Sequence, residues 1–264
     1  MKIFQWLAEL RYRDNLLYRI GLIHIILFFL LFVPFLLDSR EVLGINTWIK
    51  PMKFALSIGI YAWTFGWIMF DLENHKKLIK ILSWGIAITM LTEMFVILYQ
   101  AGRGVQSHFN FSTQFDGLLF GIMGIMILVN TVIIFIVFGL YLFPKPKMDP
   151  VYLLSLRAGF VIFILANIVG GMMIGNEAHS IGVEDGGAGL PFVNWSTEGG
   201  DLRVAHFLGL HAIQIIPLTA YFLKSREGIN EKSRQMIVGI VILLYAILFS
   251  SVFIQAKNGN PLIG

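Results

Sequence analysis

The chain contains no cysteine. That excludes a disulfide framework, a thiolate zinc centre, an iron–sulfur cluster and a cysteine nucleophile. Charge is also scarce: 14% of the 264 residues are Asp, Glu, Lys or Arg, against about 25% in an ordinary soluble domain. With 57% hydrophobic residues and a mean hydropathy of +0.76, the chain has too little polar surface to cover a soluble fold. Disordered chains, fibres, secreted disulfide scaffolds and soluble nucleic-acid binders are thereby set aside. Walker, kinase, HExxH and nucleophile-elbow motifs are missing. No internal repeat is visible, which weighs against an inverted-repeat transporter. The last apolar stretch has no lysine, which excludes a retinal Schiff base there.

What the chain does have is long apolar runs. A helix needs about 20 mostly apolar residues to cross the hydrocarbon core. Seven stretches qualify, at roughly 17–37, 49–70, 78–100, 116–143, 151–175, 203–223 and 234–256. The fold class expected is an all-α, polytopic integral membrane protein, a seven-transmembrane-helix bundle forming one membrane domain over 1–264. Residues 1–16, with Trp6, Arg11, Arg13 and Asp14, read as a short interfacial helix. They are too charged for a signal peptide and have no small-residue cleavage site. Of the 20 Lys and Arg residues, 14 fall on the side of the N-terminus and 6 on the other. The positive-inside rule then places the N-terminus in the cytoplasm and the C-terminus outside, as seven spans require. A bacterial cytoplasmic (inner) membrane is the expected location. The cytoplasmic connectors at 71–77, 143–149 (with Pro144, Lys145, Pro146 and Lys147) and 224–234 are short, basic anchors.

The other side is chemically richer. Gln100 to Asp116 joins spans three and four. A longer lid loop at 176–202 carries Glu177, His179, Glu184, Asp185, Glu198 and Asp201, many glycines, and an apolar centre of Pro191, Phe192 and Trp195. A loop of this length without secondary structure of its own is usually functional or disordered, and the apolar centre predicts a packed lid. Its acids are expected to face Lys50, Lys53, Arg103 and Arg203, four of the six basic residues on the disfavoured side. Within the spans, Glu93 lies seven residues before Gln100 and so shares its helix face. Asn130 and Asn167 fall near mid-membrane, and His206 and His211 in the outer half of span six. Ionisable groups inside a bilayer are costly and face a bundle interior or a wet cavity. Together they predict one outward-opening polar cavity.

The candidate catalytic residues are His108, Asp116, His206, His211 and Glu93. Lys50, Lys53, Arg103, Arg203 and Trp195 are the candidates for holding a substrate or anion. His108, His206 and His211 are also the candidate metal ligands, although residues five apart point about 140° apart on a regular helix. Each has a plainer reading as a packed core histidine, a snorkelling lysine or a loop contact. His24 is expected only to pack, and Gly171 to Gly175 to serve close helix approach. Ser107, His108, Asp116, His206 and His211 resemble the residue set of the zinc hydrolases of the alkaline ceramidase type, also seven-span proteins. The resemblance implies zinc and an amphiphilic substrate. The short Ser–His spacing, terminal histidines five apart instead of four, and an inverted topology depart from that pattern.

Three functions follow from the sequence. The first is a membrane-embedded enzyme acting on an amphiphilic substrate from the outer side through its histidines, with Glu93 or Asp116 orienting them. The second is a b-type haem or quinone redox protein, with paired histidines as axial ligands. The third is a transporter or sensor that uses the cavity for binding only. The cofactor is left open between zinc and haem b, and the partners expected are the lipid bilayer and an amphiphilic or anionic small molecule, with no nucleic acid.

Overall fold

The computed structural model describes residues 3–143 and 148–264, so Lys2 and the connector residues Pro144, Lys145, Pro146 and Lys147 lie outside the described residues. The chain is all-α, with seven helices long and apolar enough to cross a membrane. These run Asn15–Leu37, Ile49–Asp71, Lys76–Arg103, Gln114–Leu142, Pro150–Asn176, Leu202–Lys224 and Glu231–Lys257, each within a few residues of a predicted span. It is an integral membrane protein. The helices gather into two compact units, Met1–Val137 and Phe138–Gly264.

In the first unit, α1 (Ile3–Arg13) buries Leu10 and stacks Trp6 on Trp67, with ring centroids 6.0 Å apart. Asp14 then caps α2 (Asn15–Leu30), its Oδ1 accepting from the Leu17 N–H at 2.9 Å. That satisfies one of the N–H groups a helix start leaves without a partner. The first span hitches at Leu31 and resumes as α3 (Phe32–Leu37). Pro34 is the cause: it has no N–H to give the carbonyl four residues back. A tight hairpin, β1 (Glu41–Val42) and β2 (Ile45–Asn46), leads to α4 (Ile49–Ile68). Asp38 organises this corner, accepting from the Arg40 guanidinium and from Trp48 Nε1 at 2.8 Å. Those donors, Arg40 first, hold its carboxyl well below the usual carboxylate range. The chief packing is α2 against α4, and it depends on Gly21, where a Cβ would stand 2.2 Å from the Trp63 indole. Next come α5 (Lys76–Arg103) and α6 (Gln114–Leu142), the latter tied in by Tyr61 Oη donating to Asn130 Oδ1 at 2.9 Å.

The second unit is built on α7 (Pro150–Asn176), α8 (Leu202–Lys224) and α9 (Glu231–Lys257), with α7 packed along α8 and α8 on α9. Asp149 caps α7 through the Tyr152 N–H at 2.9 Å and reaches Arg234 at the start of α9, 3.0 Å away. Burial works to raise the Asp149 pKa, but this N–H and the arginine outweigh it and keep the group below its ordinary value. Arg157 donates to the carbonyls of Tyr141 and Leu142 at 2.9 and 2.7 Å. A cation there satisfies orphan carbonyls and meets the negative end of the helix dipole.

The 177–201 loop is folded rather than slack. Strands β3 (Ser180–Ile181) and β4 (Gly200–Asp201) pair antiparallel, and an isolated bridge joins Gly189 to Ser196. Gly200 is required because a Cβ there would overlap the Ala256 carbonyl of α9, 1.9 Å away.

Candidate functional site

The predicted site residues fall in both units. In the first, α5 ends where α4 begins, because Thr47 and Arg40 donate to the carbonyls of Ala101 and Gly102. The chain between α5 and α6 folds over this end and delivers His108. His108 sits in this loop, six residues before α6 starts at Gln114. Its Nδ1 lies 3.2 Å from Lys50 Nζ and 3.0 Å from Ser107 Oγ. An ammonium can only donate, so Nδ1 is the acceptor and the ring proton sits on Nε2. Phe54, Phe109 and Phe120 surround the imidazole with ring centroids 5.7 to 6.2 Å away. Phe109 holds a left-handed φ of 55°, a conformation a bulky residue adopts only under constraint from its surroundings.

Glu93 lies ten residues before the end of α5, about 15 Å along the helix at 1.5 Å per residue. It is 2% exposed, and neither carboxylate oxygen has a hydrogen-bond partner. A buried polar group is expensive to leave unsatisfied, so this carboxyl is suited to meeting a ligand, a water or a proton. Gln100 shares the buried face of α5 with Glu93, as the seven-residue spacing predicts. Its Nε2 donates to Asp116 Oδ1 at 2.9 Å.

Asp116 is a knot rather than an open group. Besides Gln100 it takes hydrogen bonds from Arg103, from Thr113 Oγ1 at 2.6 Å and from Ser112 Oγ at 3.3 Å. The carboxylate thereby ties the end of α5 to the start of α6 and shapes the loop that carries His108. Arg103, a candidate anion ligand from sequence, is engaged in this ion pair. Lys53 follows Lys50 by three residues on α4 and is half-buried.

In the second unit His206 is set by α7. Its Nδ1 is 2.7 Å from the Ala166 carbonyl, which can only accept, so Nδ1 carries the proton and the neutral ring has its lone pair on Nε2. The ring lies flush on Gly170, where a Cβ would come within 2.9 Å of Cε1. His211, five residues on, has Nδ1 3.2 Å from Gln214 Oε1. It packs under Phe207 at a centroid distance of 4.5 Å, and Phe207 in turn meets Trp195 at 5.7 Å. An aromatic file thus runs from the loop into α8. His206 and His211 take different partners, and among the described residues no group of three or more His, Asp or Glu is gathered for a metal ion.

The loop charges pair differently from the sequence expectation. Arg203 does take Asp201, by a two-pronged contact at 2.9 and 2.6 Å, and also reaches the Asn194 carbonyl. Asp185 instead accepts from His179 Nδ1 at 2.6 Å and from the N–H groups of His179 and Ser180. Burial would raise Asp185, but these donors hold it well below the usual carboxylate range.

Set against family models, curated proteins and solved structures, the chain matches none. Function has to be argued from the chemistry of these residues.

His24, expected only to pack, lies on the packed face of α2. His24 is 1% exposed, its Nδ1 is 2.7 Å from the Ile20 carbonyl, and its Nε2 is buried with no hydrogen-bond partner. The signal was its position on the stripe of Leu17, Ile20 and Gly21, the i, i+3, i+4, i+7 spacing of a packed helix face.

Proposed function

We propose that the protein is a membrane-embedded enzyme that acts on an amphiphilic, lipid-like substrate bearing an anionic group, at a site opening on the extracytoplasmic side. The observation that carries this reading is the Lys50–His108–Ser107 cluster, at the end of the unit that also buries the unpartnered Glu93. In this reading Lys50 and Lys53 hold the anionic group. His108 presents Nε2–H to the reacting group as a hydrogen-bond donor that stabilises developing negative charge, and Glu93 handles the proton or water on the apolar side. Asp116 and Arg103 are positioning residues that keep the His108 loop in place. Lipid extracts from cells producing the wild type, H108A or E93Q test it by mass spectrometry. A lipid that is consumed or formed with the wild type and unchanged with both variants supports the proposal. Indistinguishable lipid profiles for all three proteins overturn it.

One observation favours a second reading, a b-type haem protein. His206 has Nδ1 fixed by a carbonyl, Nε2 available as a ligand, and a glycine flush against the ring, the arrangement that orients a metal-ligating histidine. A Soret band in the purified protein that disappears in H206A establishes it; a colourless protein removes it.

A further inference from the structure

At the opposite end of the first unit from His108 there is an open cleft of about 460 Å³, within the roughly 300–1,000 Å³ typical of ligand sites. It lies where α1 turns into α2, where α4 ends and where α5 begins, so it sits at the level of three span ends. That is the depth of lipid headgroups, on the face that the basic residues predict to be cytoplasmic. We propose that this cleft binds the phosphate of an anionic phospholipid, with its acyl chains leaving along the apolar wall.

The lining supplies both kinds of group such a ligand requires. Tyr12, Phe70 and Trp84 contribute aromatic rings, and Arg13, Lys76 and Lys80 contribute cations. Aromatic rings at the membrane boundary and basic pockets between spans are the general means of holding headgroups. Arg13 is fixed in place, with Nε on Glu9 at 2.8 Å, Nη1 on the Trp67 carbonyl and 3.4 Å from Asp71, and its guanidinium over the Trp67 and Phe70 rings. Its charge is thus already met by two acids, and Lys76 and Lys80 are the cations left to hold the phosphate. Asp14 also lines the cleft, but both its oxygens are engaged, by the Leu17 N–H at 2.9 Å and Ser83 Oγ at 2.6 Å.

An independent feature points to an anion. The first turns of α5 carry Lys76, Lys77 and Lys80, with no acid in the first turn and no side-chain cap from His75. Cations are disfavoured at a helix N-terminus, where the dipole and the unpaired N–H groups already present positive charge. A phosphate in the cleft would meet Lys76 and Lys80 and offset the unfavourable placing of these cations at a helix start. The site is separate from the enzyme reading and does not rest on it.

Native mass spectrometry of the protein released from nanodiscs of equal parts phosphatidylglycerol and phosphatidylcholine tests the assignment. The wild type is expected to retain phosphatidylglycerol selectively, and K76Q/K80Q to retain about tenfold less. K224Q/K232Q, an equal charge loss in the second unit, is expected to leave retention unchanged. An equal fall in both double variants overturns the proposal in favour of general surface charge. Retention unchanged in K76Q/K80Q overturns it as well. Soluble glycerol phosphate separates the two sources of the same chemistry: if it displaces the lipid at comparable concentration, the site is one for free phosphate esters and the lipid assignment falls. Should K76Q/K80Q not fold, the single variants K80Q and W84A carry the same comparison, each with reduced retention expected.

Discussion

At the residue scale the carboxylates divide by whether their lone pairs are filled. Asp116 is 1% exposed and takes four side-chain donors, while Glu93 is equally buried and takes none. Removing Asp116 strands Gln100, Thr113 and the Arg103 charge, so D116A is expected to lose about 1–3 kcal/mol of stability. R103A should lose less, because the Arg103 side chain is one-third exposed and its charge is partly screened. The two changes should be less than additive in thermal or urea unfolding; strict additivity contradicts the knot. Asp185 gives a pH dependence. Its folded pKa lies below its ordinary value, and an unfolded aspartate titrates near 3.9. Its stabilisation is therefore complete above about pH 4 and lost progressively as pH falls below that. An acid-active protease should cut the 182–200 segment faster at pH 3 than at pH 6, and D185N should remove much of that difference by being susceptible at both.

At the scale of elements, hydropathy located all seven spans because burial in lipid depends on composition summed over about 20 residues, which a single sequence displays in full. The break in the first span at Pro34 and the caps at Asp14 and Asp149 are local backbone features that a sum over about 20 residues does not display. Side-chain partners were not legible. Asp116 was expected beside His108, eight residues away, yet it takes Arg103 from the preceding helix; Asp185 takes His179 instead of a helix cation. Several basic residues lay within reach of each acid in sequence, and only the path of the loop backbone selects among them. Asp201 and Arg203 were legible as a pair, and they now define how the loop is joined to α8. Asp201 caps that helix through the Arg203 N–H at 2.9 Å, accepts from the Ser196 N–H at 2.8 Å, and holds the guanidinium. Its side chain is fully buried and that of Arg203 is 24% exposed. D201A should therefore cost about 3 kcal/mol, at the lower edge for breaking a buried pair, with R203A costing less and the double variant less than the sum. Lysine at 203 should rescue poorly, since it lacks the planar fork. Limited proteolysis within 182–200 reads the outcome directly, and resistance equal to wild type in both single variants contradicts the role given to this pair.

At the scale of the whole molecule, the two ends of an odd-numbered set of spans must lie on opposite sides of the membrane. With the seven spans in place, 14 of the Lys and Arg residues fall on the side of the N-terminus and 6 on the other. The positive-inside rule predicts from that asymmetry a cytoplasmic N-terminus and a C-terminus on the other side. Because the natural chain has no cysteine, single cysteines report position without background. Asn260 is exposed beyond α9, and Glu227 is exposed in the turn between α8 and α9. In intact cells a membrane-impermeant maleimide should label N260C, and should label E227C only after the membrane is permeabilised. The reverse pattern inverts the molecule. It would put His108 and Lys50 on the cytoplasmic side, move the Lys76–Lys80 cleft to the outer leaflet, and leave the 14 basic residues on the face that positive charge normally avoids. Labelling of both positions from one side would instead remove a span, and the last helix, Glu231–Lys257, with only 22% of its apolar window buried, is the one whose crossing that result would deny.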